Sequence, residues 1–284
     1  MLKLYYRLAK PGIIYGNLMT TIAAFLFATK WHFPIQLLIA TIVGVALAIA
    51  SACVFNNILD RDIDAKMPRT KERALVSGAI SIRAATLYGT VLGIAALAIL
   101  YFYVNPLTCL LAVVCFISYV VVYGYAKRTT SWSTVVGSIS GAMPITMGYT
   151  AATGRADLAA LILFLVLVFW QMPHFYAIGI YRLEEYKAAG LPILPAQKGI
   201  RRTKFHMLFY IVVFILAVYH LTYFGYAGYS YLAVMLILGL AWLALGLQGF
   251  RTADDAKWAR KLFFFSLIVL TGFSLILSVA PFLP

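Results

Sequence analysis

Asn56, Asp60 and Asp64 follow one another at intervals of four, and Asn57 stands three residues before Asp60. On a helix, residues three and four apart share a face, so two carboxylates and two amides point one way. Asp62 falls on the opposite side, where Lys66, four residues on, is its expected ion partner. Like carboxylates held close at the edge of an apolar region repel unless a cation binds them. Hard oxygens in this arrangement suit Mg²⁺, which keeps several waters and is completed by substrate phosphates. Glu184 and Glu185 offer a second acidic arm from elsewhere in the chain. Cations accompany both: Lys66, Arg69 and Arg73 after the first, Lys127 and Arg128 further on, and Lys198, Arg201 and Arg202 after the second. Metal ions alternating with Arg and Lys are how proteins neutralise a diphosphate. Taken singly, each charge reads as well as a membrane anchor or a solvated loop residue, but anchoring demands nothing of the asparagine and aspartate spacing.

The elements that must position these groups are apolar. The chain has 284 residues, 63% hydrophobic and 11% charged, with mean hydropathy +0.92. Residues 33–59 carry no charge at all before Asp60, Arg61, Asp62 and Asp64 arrive together. Runs long enough to cross ~30 Å of hydrocarbon predict an all-α polytopic membrane protein of about nine transmembrane helices. They lie near 13–29, 34–58, 84–104, 106–126, 134–152, 157–180, 205–224, 228–249 and 262–282. Neither low-complexity stretches nor a soluble segment interrupts them, so 1–284 reads as one transmembrane domain.

With the N-terminus in the cytoplasm, every Lys and Arg except Lys30 and Arg155, and every acid except Asp157, falls on the inner side. That asymmetry is the positive-inside rule. The net charge of +14 therefore reports topology, and nucleic-acid binding needs no place in the account. Cys53, Cys109 and Cys115 lie inside spans without CxxC spacing, which argues against a disulfide framework or zinc site and for packing. The N-terminus lacks the features of a cleaved signal or an organelle transit segment, so the first span is expected to be retained, in a bacterial inner membrane. The long inner loops, 60–83 and 182–204, each put acids just after an inward-running span, as if two related halves faced one cavity.

His174 follows Met172 and Pro173 inside a span, where the proline is expected to interrupt the helical ladder. A buried imidazole there either coordinates or positions a metal-bearing substrate or satisfies a carbonyl that the proline releases. His32, His206 and His220 read as structural. Trp31, Trp132 and Trp258 read as interfacial belt residues. Some of Tyr123, Tyr125, Trp170, Phe175 and Tyr181 are candidates for a cavity wall whose π faces steady a cation.

NNILDRDIDAKMPRT at 56–70 resembles the N-x-x-x-D-x-x-x-D motif of the UbiA superfamily of intramembrane prenyltransferases. LAKPGIIYGN at 8–17, YGYAKRTTSWSTVVGSISGAMP at 123–144, WARKLF near 258–263 and above all FWQMPHFYAIGIYRLEEYKAAGLPILP at 169–195 are similar to its haem-farnesylating branch. The resemblance implies transfer of the farnesyl group of farnesyl diphosphate to a vinyl group of protohaem IX, with water addition, using two Mg²⁺ ions. It makes Asp60 and Asp64 the principal metal ligands, with Asn56 assisting and Glu185, rather than Glu184, on the second arm. Lys66, Arg69, Arg73, Lys127, Arg128 and Lys198 become diphosphate-binding residues, and His174, Trp170 and Tyr181 candidates for haem binding. Terminal oxidase or haem A synthesis proteins are the implied partners. The chain departs from the family in carrying adjacent glutamates where aspartates four apart are usual, and Ala74 where a proline is expected. Other readings are a prenyltransferase with an aromatic acceptor (a quinone or chlorin precursor), a transporter or haem carrier, and a structural role in oxidase assembly. Against transport, the acids cluster at one face and none is central to a predicted span.

Overall fold

The computed structural model describes residues 1–284 and contains no strand. Nine long helical segments form the bundle: α1 (Pro11–Thr29), α2 (Ile35–Leu59), α3 (Ile82–Tyr103), α4 (Pro106–Thr129), α5 (Ser133–Thr153), α6 (Leu158–Tyr181), α7 (Ile200–Tyr223), α8 (Tyr229–Gln248) and α9 (Asp255–Val279). All except α5 are long and apolar enough to cross a membrane. At 21 residues α5 has the length but carries Ser, Thr and Gly along its course, and twelve of its residues are buried. Its polar atoms thus face other helices rather than lipid, as small and hydroxylated residues do at helix interfaces in membranes.

Local chemistry fixes the helix starts. Pro11 and Pro106 occupy the first turns of α1 and α4, where a missing N–H costs nothing. Ser81, Asn105, Asp157 and Asp254 cap α3, α4, α6 and α9 with side-chain oxygens, each satisfying an orphan backbone donor. The largest departures from the predicted spans are α7 and α9, which begin at Ile200 and Asp255 instead of 205 and 262. Their first turns are rich in Lys and Arg, so hydropathy does not count them as helix, although Thr203 and Lys204 of the one and Trp258 and Ala259 of the other are buried and Asp254 caps α9.

Helix α5 runs through the middle of the bundle, against α1, α4 and α6. Thr21 donates to the Pro144 carbonyl (3.0 Å), and Gly148 lets α5 rest directly on the α1 backbone, where a Cβ would collide with the Thr21 carbonyl. Such close approach is what small residues allow when lipid offers no hydrophobic drive to association. One cluster of 36 buried apolar residues then joins α1 and α5 to α6, α7, α8 and α9. Helix α6 stays helical through Pro173, so the expected break in the ladder does not divide it. Cys53, Cys109 and Cys115 are free thiols.

Trp31 and Trp132 stand half exposed at helix ends, but Trp258 is buried. Its indole donates to Leu245 O (2.9 Å) and lies under the Lys204 ammonium (5.2 Å). Placing it in an interfacial belt is therefore corrected: Gly249 leaves the space that the ring fills.

Candidate active site

Helix α2 ends at Leu59 and a single further turn, Arg61–Asp64, continues from it. The Asp64 N–H bonds to Asp60 O (2.8 Å), so the interval of four survives the junction. Asn56, Asn57 and Asp64 are buried, and Asp60 is nearly so. Their polar atoms meet cations from three different segments. Lys10 donates to Asn56 Oδ1 (2.7 Å). Arg73 donates to Asp64 Oδ2 (2.6 Å) and to Asn57 Oδ1 (3.2 Å). Lys127, near the end of α4, is ion-paired with Asp60. Asn57 in turn donates to Leu8 O (2.8 Å) and Thr70 to Asp64 O (2.9 Å), tying the N-terminal segment and the inner loop to the end of α2.

Two small apolar clusters hold these segments in place. Leu8, Val54, Leu75, Ile80 and Ala85 pack the N-terminal helix Leu2–Leu8 and the inner loop against α2 and α3. Ile63, Met67 and Ala189, with Tyr186 and Leu191 against them, join the first inner loop to the second. That second contact brings Arg69 of the first inner loop to Glu185 of the second (3.8 Å). Glu184 points elsewhere, to Lys187 (2.9 Å).

The structure rearranges part of the expected cation set. Asp62 is paired with Arg128 (2.7 Å to each oxygen), not with Lys66. Arg128 at the end of α4 presents a two-pronged donor that a lysine lacks, and it also bonds Leu59 O (2.6 Å). The Arg128 guanidinium beside Asp62 holds that carboxyl down at about 2. Arg128 thus serves the outer side of the Arg61–Asp64 turn and comes only within 3.9 Å of Asp60. Lys66 and Lys198 are exposed and make no ion pair.

Two groups were not singled out in the sequence. Lys10 reaches Asn56 because its own backbone is left-handed (φ 55°) before Pro11. Burial pulls its amine down to about 8. The signal was present in LAKP, a basic residue immediately before a helix-starting proline. Tyr119 is the second. Within α4, residues Ser118–Tyr123 form a π turn, a form that often marks functional sites. There Tyr119 stacks on Tyr123 (5.7 Å), whose ring lies under the Lys127 ammonium (5.4 Å). Tyr125 and Phe175 are turned outward and line no cavity with them.

His174 is buried on α6, stacked on Trp170 (4.7 Å) and against Phe263 of α9 (4.8 Å). Its Nδ1 lies 2.7 Å from Ser266 Oγ, and the Ser266 hydroxyl is 2.6 Å from Phe263 O. One hydroxyl proton serves one acceptor. With that proton on Phe263 O, His174 Nδ1–H donates to Ser266, and the lone pair is left on Nε2. The imidazole satisfies no carbonyl of its own helix. Trp170 donates to Ser266 O (2.9 Å), so one serine fixes both rings.

A cation fits the end of α2. Lys127 is ion-paired with both oxygens of Asp60, and the buried Asn56 Nδ2 has no hydrogen-bond partner. Two carboxylates and an asparagine oxygen are a hard-donor set for Mg²⁺. No three His, Cys, Asp or Glu side chains converge as a ready cage, so waters and an anionic ligand must complete the coordination.

A model of the UbiA prenyltransferase family matches residues 17–268. The chain is 49% identical over 285 residues to a protoheme IX farnesyltransferase of Klebsiella pneumoniae subsp. pneumoniae, spanning 100% of this chain and 97% of that protein. It is 47% identical over 279 residues to protoheme IX farnesyltransferase 2 of Pseudomonas fluorescens, spanning 98% and 95%. Among solved structures it is similar to a digeranylgeranylglyceryl phosphate synthase (TM-score 0.82, 19% identity, 98% of each chain). It is also similar to a UbiA homologue from Archaeoglobus fulgidus bound to DMAPP and Mg²⁺ (TM-score 0.71, 17% identity, 94% of this chain and 98% of that one).

Proposed function

The chain belongs to the UbiA prenyltransferase family, and from that premise we propose that it transfers the farnesyl group of farnesyl diphosphate to a vinyl group of protohaem IX. Diphosphate leaves as the allylic carbon is transferred, and water adds to the cation formed on the former vinyl group with loss of a proton, completing a hydroxyethylfarnesyl substituent. The observation that carries the transfer is the meeting of Asn56, Asp60 and Asp64 with Lys10, Arg73 and Lys127 at one rim of the bundle. The choice of acceptor is supported by the relatives of nearly half identity over the full chain.

When bound, Mg²⁺ disperses the negative charge that develops on the departing diphosphate. Asp60, Asp64 and Asn56 are the residues that would hold a first ion, and Glu185 is the carboxylate assigned to a second. Lys10, Arg69, Arg73 and Lys127, now engaged by the protein's own acids and amides, are the donors for the diphosphate oxygens. Placed in advance where charge develops, such donors lower the barrier without reorganising. The stacked faces of Tyr119 and Tyr123 steady the allylic cation beside them. His174, Trp170 and Tyr181 are assigned to the acceptor, with His174 Nε2 toward the haem iron. Lys66, Lys198 and Arg128 take a supporting role at the rim.

The eight apolar spans make this a multi-pass membrane protein. We place α5 as a ninth span within the single domain, the N-terminus and the site on the cytoplasmic side of a bacterial inner membrane, and a terminal oxidase or haem A synthesis protein as recipient of the product. The charge asymmetry between the two ends supports this orientation.

Mass spectrometry of haems after incubating the purified protein with protohaem, farnesyl diphosphate and Mg²⁺, alongside an EDTA control, tests the reading. Farnesylated haem is expected only with metal. Unmodified haem from a folded protein that still binds farnesyl diphosphate would overturn the acceptor and leave the family's transfer chemistry to an aromatic substrate.

A further inference from the structure

A second recess adjoins the first site at the same rim. A cleft of about 340 Å³ opens between the ends of α6, α7 and α9. Tyr181 and Arg182 form one wall, Glu184 and Glu185 a second, and Ile200 and Asp255 a third. Glu185 lines this cleft and also meets Arg69 of the first inner loop.

The charge balance of this cleft favours an anion. Each of its other acids already has a lysine of its own: Glu184 with Lys187 and Asp255 with Lys204. Glu185 instead receives two guanidinium groups, Arg182 (3.1 Å) and Arg69 (3.8 Å). One positive charge is therefore left without a carboxylate of its own. Arg182 lies against the Tyr181 ring (5.3 Å), about 29% exposed, with its fork at the cleft.

Inward from the cleft the packed side chains are aromatic. Tyr181 meets Phe263 (5.8 Å), and Phe263 meets His174 (4.8 Å). Eight residues of helix separate His174 from Arg182, a rise of about 12 Å. A cation at the rim, flat rings beneath it and an imidazole deeper in the bilayer suit a planar apolar molecule that carries its carboxylates on one edge and a metal at its centre.

We propose that this cleft seats the two propionates of the acceptor porphyrin, with Arg182 as their anchor. The proposal rests on the reading of protohaem as acceptor. Planar two-pronged recognition of carboxylates is the particular aptitude of arginine. The vinyl groups of protohaem lie on the edge of the macrocycle opposite its propionates, so anchoring the acids on the α6 and α9 side turns the vinyl edge toward the bundle. Glu185 then exchanges one of its arginines for the substrate as the carboxylates arrive.

Equilibrium titration of the purified protein, followed through the porphyrin absorption band, tests this with two probes: protohaem and its dimethyl ester. The wild-type protein is expected to bind the diacid at least tenfold more tightly than the ester. Arg182→Gln is expected to lose that preference while binding the ester as before, and Arg182→Lys to recover part of it. Equal affinity of the wild-type protein for diacid and ester would overturn the proposal, as would an undiminished preference in Arg182→Gln. Because the ester comparison uses the unaltered chain, it decides even if the variants fail to fold. Binding of neither porphyrin by protein that still binds farnesyl diphosphate would overturn the acceptor reading, and this proposal with it. Tight diacid binding with no preference over the ester would spare the reading and remove only the anchor.

Discussion

Around α6, α7, α8 and α9, together with α1 and α5, 36 buried apolar residues form one continuous cluster, whereas the clusters beside α2, α3 and α4 hold six and five. The densely packed side ends in corner pins such as Lys204, which is buried, paired with Asp255 and bonded to Gly249 O (2.6 Å). The lightly packed side ends in Lys10, Arg73 and Lys127 clasping amides and carboxylates. Apolar packing has few alternative arrangements, but a lattice of ion pairs can change partners when an anion and a metal arrive. The proposed chemistry falls where structure is held by charges that can be re-partnered, and shape is maintained from the other side.

The sharpest way to break that comparison is to remove a carboxylate. Asp60→Ala or Asp64→Ala is expected to lower farnesyl transfer by roughly 10³-fold, in the range lost with a group that stabilises transition-state charge. Circular dichroism and monodisperse elution in detergent should remain unchanged. Full turnover by either variant would take the metal away from the end of α2. Trp242→Ala is the converse experiment. Trp242 is fully buried against Phe214 (5.6 Å), and its loss should cost about 3 kcal/mol, read as a lowered melting temperature. Affinity for farnesyl diphosphate below that temperature should hold, and a parallel fall would show that the two sides are not separable.

A smaller effect is expected at Lys10. Its amine falls from the ordinary 10.5 to about 8 because burial disfavours the charge. Between those values the unfolded chain binds more protons than the folded one, so this group makes stability rise with pH across that window. A bound diphosphate favours the charged amine, so affinity should decline as pH climbs through about 8, and binding above that pH should take up a proton. Calorimetry in two buffers of different ionisation enthalpy reads the uptake. Lys10→Met should weaken binding about tenfold, the order of one charge-assisted hydrogen bond, and flatten its pH dependence.

Sequence alone carried much of this arrangement. The apolar runs of α2, α3 and α6 are long and uninterrupted, so their existence and rough limits follow from bilayer thickness. The stripe from Asn56 to Asp64 follows from helical periodicity, because the chain keeps the interval of four even as α2 ends at Leu59. What pairs with that stripe was less legible. Lys10, 46 residues away from Asn56, reaches it through a left-handed backbone conformation that no local propensity announces. Arg128 displaces Lys66 as the partner of Asp62 because a contact across two helices offers two parallel bonds where the neighbour in sequence offers a single point charge. The charged starts of α7 and α9 lie outside the apolar runs because hydropathy averages cannot tell a charged, packed first turn from a loop.

The π turn at Ser118–Tyr123 acts on the phase of α4. An α-helix advances about 100° per residue, and a wider turn that accommodates one more residue resets the angular register of all that follows. The stretch from Pro106 to Ile117 can therefore obey the demands of lipid and neighbouring helices, while Lys127 and Arg128 obey those of Asp60 and Asp62. One helix thus keeps two clocks, and the π turn sets the offset between them.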